Sequence, residues 1–130
     1  MATICNIIIK RENEPMYQLY HYYDGYTEGV GNELLDMLQT KSLKNTQGVI
    51  DYILQDDGYE YEGVNGKDCE LHGDIEYLYV IDLANSMLYA YAIDLWGDGM
   101  ATDTEIINGN ACIMRKYAPI PIGTDERFDS

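Results

Sequence analysis

Residues 75–95 read IEYLYVIDLANSMLYAYAIDL, and the fold is decided there. Two apolar runs, Ile75 to Leu83 and Met87 to Leu95, flank the small group Ala84-Asn85-Ser86. Runs of this length, rich in Ile, Leu, Val and Tyr and broken by turn-forming residues, are the two strands of a hairpin. One alternative stays open. A three-residue turn after Leu83 puts Tyr77 and Tyr79 on the same face as Tyr89 and Tyr91, making a tyrosine patch. A turn of two or four residues swaps the faces, so that Leu78 and Val80 join Tyr89 and Tyr91.

Working outward, Thr3 to Lys10 carries Ile4, Ile7, Ile8 and Ile9, a β-branched run that reads as a strand. A polar turn ending at Pro15 joins it to a second strand, Met16 to Tyr23. Asp24-Gly25-Tyr26 breaks the pattern and a helix follows, with Thr27 as the expected N-cap. Its inward face carries Val30, Leu34, Met37 and Leu38, with Leu35 at the margin. A second helix starts near Asn45 or Thr46, carries the stripe Val49, Ile50, Ile53 and Leu54, and stops at Gly58. Residues 59–74 are acidic and glycine-bearing and read as a long loop with a short edge strand at 59–62. Cys112 to Tyr117 is a last strand. Pro119 and Pro121 keep the chain extended beyond it, and the polar residues 124–130 are expected to fray. The order β-β-α-α-β-β-β implies an α+β fold: an antiparallel sheet of about five strands, with two helices packed on one face. Residues 1–123 are expected to form a single domain, followed by the tail.

Composition narrows the function. The chain has 130 residues, a size that suits one domain. Its aromatic content is 13 Tyr against one Phe and one Trp, so apolar rings with polar tips dominate. Cys5, Cys69 and Cys112 include no CxxC pair and are too few and odd in number for a disulfide framework, which points to a reducing compartment. The N-terminus lacks the features of a signal peptide, and no apolar run has the length of a membrane span, so a cytoplasmic location is expected. Net charge is −15, and from Asp51 to Glu105 fourteen acids face a single base, Lys67. Such a field repels nucleic acid and anionic membrane and attracts basic proteins or cations.

The most distinctive segment is His21-Tyr22-Tyr23-Asp24-Gly25-Tyr26-Thr27-Glu28-Gly29-Val30-Gly31, which runs from strand into helix. Glycines at a helix N-terminus can cradle an anion, but no Gly-Lys-Ser/Thr follows, and the glycine spacing is not that of a dinucleotide fingerprint. Asp24 and Glu28 oppose phosphate as well. The plainer reading makes Asp24-Gly25 the turn and packs Tyr26 beneath the helix. With Asp94 as position 1, Asp98 and Glu105 fall where a calcium loop places ligands, but Trp96 occupies position 3, which favours an acidic turn. Cys69 and His72 offer zinc only two nearby ligands. No catalytic residue stands out, because no nucleophile elbow or protease signature is present.

The motif His-Tyr-Tyr-Asp-Gly-Tyr-x-Glu-Gly-x-Gly, followed by an amphipathic helix, resembles a segment of a group of small bacterial and phage proteins. The strand Ile75 to Asp82 resembles a second segment of the same group. Together the two segments cover about 20 of the residues. The resemblance implies a lineage and brings no activity or catalytic residue. A phage lineage favours an inhibitor of a host system.

Two functions are therefore expected. The first is a non-catalytic acidic, tyrosine-rich interaction protein with a basic protein partner, in its sharpest form an inhibitor of a host nucleic-acid-binding or defence protein. No cofactor, direct nucleic-acid contact or membrane contact is expected, and a homo-oligomer stays open. The alternative is a small-ligand protein or enzyme, for a nucleotide or divalent cation, with a tyrosine-lined pocket. Candidate binding residues are His21, Asp24, Tyr26, Tyr77, Tyr79, Tyr89 and Tyr91. Candidate metal ligands are Asp94, Asp98 and Glu105.

Overall fold

A computed structural model describes residues 3–11, 17–39, 46–56, 58–64, 75–93 and 113–128. Strands β1 (Cys5–Lys10) and β2 (Tyr17–His21) form an antiparallel pair. A single turn of π-helix (Thr27–Gly31) leads into α1 (Asn32–Leu38), and α2 (Thr46–Ile53) follows. Then come β3 (Tyr59–Val64), β4 (Tyr77–Asp82), β5 (Met87–Ile93), β6 (Ile113–Lys116) and the short β7 (Ile120–Pro121). Their order across the sheet is β3-β2-β1-β4-β5-β6, with β7 also paired to β5. The α+β class holds, with seven strands rather than about five.

The sheet is mixed, which corrects the all-antiparallel expectation: β1 and β4 run parallel, with Cys5 opposite Tyr77 and Ile9 opposite Ile81. Both strands lie at the centre and are buried along nearly their whole length. That burial explains why their sequences are continuous apolar runs without alternation, as is usual for strands covered on both faces. The backbone fixes their common entry end, since the amides of Glu76 and Tyr77 both donate to the Ile4 carbonyl, at 2.8 and 3.4 Å.

Both helices lie on one face. Val30, Leu34, Leu35, Leu38, Val49, Ile50 and Ile53 pack there against Ile7, Ile9, Leu19, Tyr79 and Ile81. Leu35, placed by sequence at the margin, is as buried as its neighbours. Thr27 does not cap: no side-chain bond closes the helix start, and Thr27 is itself buried. The opposite face carries a smaller cluster around Ile8, Leu78, Val80, Tyr91 and Ile93.

The turn between β4 and β5 has four residues, with Asp82 opposite Met87. The Asp82 carboxylate shapes it by accepting from the Ala84 and Asn85 amides (3.1 and 3.2 Å) and from the Asn85 side chain (2.8 Å). Leu78 therefore faces Tyr91 and Val80 faces Tyr89, while Tyr77 and Tyr79 point to the helix side. The edge strand expected at 59–62 is present as β3, two residues longer. The expectation of a frayed end also changes, because Phe128 is buried against α1. Asn32 and Phe128 exchange two bonds, Asn32 Nδ2 to the Phe128 carbonyl at 3.1 Å and the Phe128 amide to Asn32 Oδ1 at 2.7 Å. Among the described residues, no helix is long and apolar enough to cross a membrane.

Candidate functional site

The segment from His21 to Gly31 folds as a tightly braced turn. Asp24 sits in the left-handed region at φ 52°, a conformation Asp tolerates better than most residues. The Gly25 amide donates to the Thr3 carbonyl at 2.9 Å, the Val30 amide donates to the Asp24 carbonyl at 2.8 Å, and the buried Tyr79 hydroxyl donates to the Gly25 carbonyl at 2.7 Å. The glycines are there for space. A Cβ on Gly25 would lie 2.9 Å from the Thr3 carbonyl oxygen, one on Gly29 would collide with the Asp24 carbonyl, and one on Gly31 would press on the rings of Phe128 and Tyr79. The amides of Gly25, Gly29 and Val30 thus serve the fold.

His21 lies 1% exposed between two rings, with centroids 4.4 Å from Tyr23 and 4.3 Å from Tyr59. Tyr59 donates its hydroxyl to Glu33 Oε1 at 3.1 Å. Cys5 stands directly opposite His21 in the β1–β2 register, the one place where the described residues set a Cys across a strand ladder from a His. It is not poised for nucleophilic attack. Cys5 is fully buried, and burial, reinforced by the Glu33 carboxylate, pushes its thiol well above the ordinary value of 9.0. A reactive cysteine needs the reverse, an accessible thiolate in an electropositive setting. The phenols of Tyr59 and Tyr79 are likewise pushed up, first by burial and then by anionic or ionisable neighbours, Glu33 for Tyr59 and Cys5 for Tyr79.

What the turn offers to solvent is aromatic and acidic. Tyr22, Tyr23 and Tyr26 are 43%, 39% and 42% exposed, and Asp24 and Glu28 beside them are exposed too. Tyr26 thus projects outward instead of packing under the helix, and its hydroxyl stands 3.5 Å from Asp24 Oδ1. The rings support one another, with Tyr22 and Tyr23 edge to face at 5.6 Å and Tyr20 6.1 Å from Tyr22. Along β3, Glu60 and Tyr61 are exposed, and Asp56 is exposed at the exit of α2. Gly58, at φ 92°, lets the Tyr23 ring lie against the chain between α2 and β3.

The fold therefore brings His21, Asp24, Tyr26 and Tyr79 into one neighbourhood, with Tyr77 stacked on Tyr79 at 6.3 Å. Tyr89 and Tyr91 lie on the opposite face, away from the turn. Asp94, Asp98 and Glu105, together with Cys69, His72 and Cys112, fall outside the described residues. Among the described residues, no group of three or more His, Cys, Asp or Glu could hold a metal ion.

Sequence reasoning missed Tyr22 and Tyr23 as surface groups, although two tyrosines in succession at a strand end carry that signal. It also missed that some acids have internal duties. Glu62 Oε1 accepts from Asn6 Nδ2 and Gln18 Nε2, both at 2.8 Å, tying β3 to β2 and β1. Two clefts lie away from the turn. One, of about 550 Å³, is walled by Arg115 and Tyr117 and by the C-terminal segment. The other, of about 320 Å³, lies among Glu76, Tyr77, Ile93 and Met114. Compared with protein-family models, curated proteins and solved structures, the chain matches none.

Proposed function

We propose that the chain is a non-catalytic binding protein that offers the acidic, tyrosine-bearing surface of the β2–α1 turn to a basic protein partner. The observation that carries this reading is the set of hydrogen bonds that brace the turn beneath exposed Tyr22, Tyr23 and Tyr26. Exposed Tyr is a common interface anchor, and a braced backbone loses little conformational entropy when a partner binds. Asp24, Glu28, Glu60 and Asp56 add the charge that steers a basic surface toward those rings. The buried, proton-retaining Cys5 and Tyr59 argue against general acid–base or nucleophilic work in the same neighbourhood. In its narrowest form the proposal makes the acid field a stand-in for a phosphate backbone, suited to occupying a host nucleic-acid-binding or defence protein.

Affinity capture from a bacterial lysate, at low and at high salt, tests the proposal when the wild-type chain is run beside a Tyr22→Ser/Tyr26→Ser variant. A basic protein should be held at low salt by the wild type and lost by the variant. Recovery of no basic protein, or equal recovery by both chains, would remove it.

A further inference from the structure

The chain holds three arginines against 23 acids, and two of the three line one cleft of about 550 Å³. That volume falls within the range of small-molecule sites. Arg127 is committed to building the wall. Its Nε and Nη2 meet Asp36 Oδ1 at 2.8 Å, Nη1 donates to the Thr124 and Glu126 carbonyls at 2.9 and 2.6 Å, and Nη2 reaches Gln39 Oε1 at 3.3 Å. Together with the Asn32–Phe128 exchange, these bonds fasten residues 124–128 to α1.

Arg115 is different. Its guanidinium lies over the Tyr117 ring, 4.2 Å from the centroid, and among the described residues it makes no hydrogen bond or ion pair. No carboxylate among the described residues meets it, although the chain carries 23 acids. The ring holds the guanidinium by a cation–π contact, and its N–H groups, which among the described residues meet no acceptor, carry the fork geometry that fits a carboxylate. Pro119, Ile120 and Phe128 supply apolar surface beside it, and Asp125 and Glu126 lie along the same cleft. Among the described residues, Asp125 is met by the neutral Gln39 amide, at 3.1 Å. Among the described residues, the cleft thus offers a ligand one cation, two anions and an apolar surface. Two acids disfavour a multiply charged phosphate, and a lone carboxylate would leave them unanswered.

We infer that this cleft binds a zwitterionic α-amino acid with an apolar side chain, its carboxylate on Arg115, its ammonium toward Asp125 and Glu126, and its side chain against Pro119, Ile120 and Phe128. The site is separate from the turn proposed to bind a protein, so each stands or falls alone.

Free L-phenylalanine and L-leucine are the probes, titrated into the whole chain and followed by amide chemical shifts and thermal stability. Saturable shifts confined to 115–120 and 124–128 are expected, with a rise in melting temperature because the ligand favours the native state. Phenylalaninamide lacks the carboxylate and N-acetylphenylalanine lacks the cation, and each should bind at least about tenfold more weakly, as should Arg115→Gln. Arg115→Lys keeps the charge without the fork and should fall between. Arg115 is exposed, so these variants should fold. Lys116→Gln is the control, because Lys116 lies over Tyr91 on the other face, and should bind as wild type does. No saturable shift with either amino acid, undiminished binding by Arg115→Gln, or equal binding of the acetylated form would overturn the assignment.

Discussion

At the scale of single residues, the molecule depends on a few positions where a missing atom matters as much as a present one. Gly25 is the sharpest case, since its missing Cβ is what lets the turn lie against Thr3 and Cys5. Gly25→Ala should destabilise the fold by about 1–3 kcal/mol, as overpacked sites do, read as a lower urea midpoint with unchanged slope. Tyr79→Phe keeps the ring and removes the hydroxyl, leaving the Gly25 carbonyl without its buried donor. A loss of roughly 1–2 kcal/mol is expected, and a variant as stable as wild type would show that this bond does not brace the turn. These residues were only partly legible in the sequence. Asp-Gly before a helix announces a turn, but nothing local reveals that Tyr79, 54 residues later, holds it from below.

At the scale of elements, the C-terminal segment changes most between reading and structure. Residues 124–130 are polar apart from Phe128, and polar chain ends usually fray. The lone aromatic was the signal. Its ring packs under Gly31 and meets Tyr117 edge to face at 5.8 Å, so residues 124–128 become a wall of the core. Phe128→Ala should cost about 3–5 kcal/mol in chemical denaturation, the usual range for a buried Phe, and should speed amide exchange across 124–128. Exchange as fast as in an unfolded chain in the wild type would contradict the docking. In β3, Glu62 shows the same divide between pattern and role. It reads as one more acid of a charged edge, yet it accepts from two side-chain amides. Glu62→Ala should cost about 1–3 kcal/mol because two amide groups lose an ionised acceptor, whereas Glu60→Ala, an exposed change, should stay within about 0.5 kcal/mol.

At the scale of the whole molecule, two responses to solution conditions follow. Cys5, Tyr59 and Tyr79 keep their protons in the folded state above their ordinary values of 9.0 for the thiol and 10.0 for the phenols. The unfolded chain loses those protons as pH rises past these values, so it then binds fewer protons than the native state, and stability falls with rising pH. The contribution is complete below the ordinary values and declines above them. The urea midpoint should therefore drop steeply above about pH 10, with the last phenols ionising, by ultraviolet absorbance, only as the fold is lost; a constant midpoint to about pH 11 would refute the account. The second response is to salt. A net charge of −15 repels itself, and screening relieves that repulsion, so the midpoint at pH 7 should rise as sodium chloride increases from about 0.02 to 0.5 M.

The sequence by itself determined what depends on near neighbours. The apolar runs of β1, β4 and β5, the stripes of α1 and α2, the turn at Asp24-Gly25 and the acidity were all legible, because period, glycine placement and charge are local properties. Only the tertiary structure decided the parallel pairing of β1 with β4, the four-residue turn that sends Tyr89 and Tyr91 to the far face, and the docking of Phe128. It also decided which acids face solvent and which, like Asp82 and Glu62, hold the chain together. Each of these turns on contacts between segments distant in sequence, or on a one-residue choice of loop length that reverses every side chain beyond it.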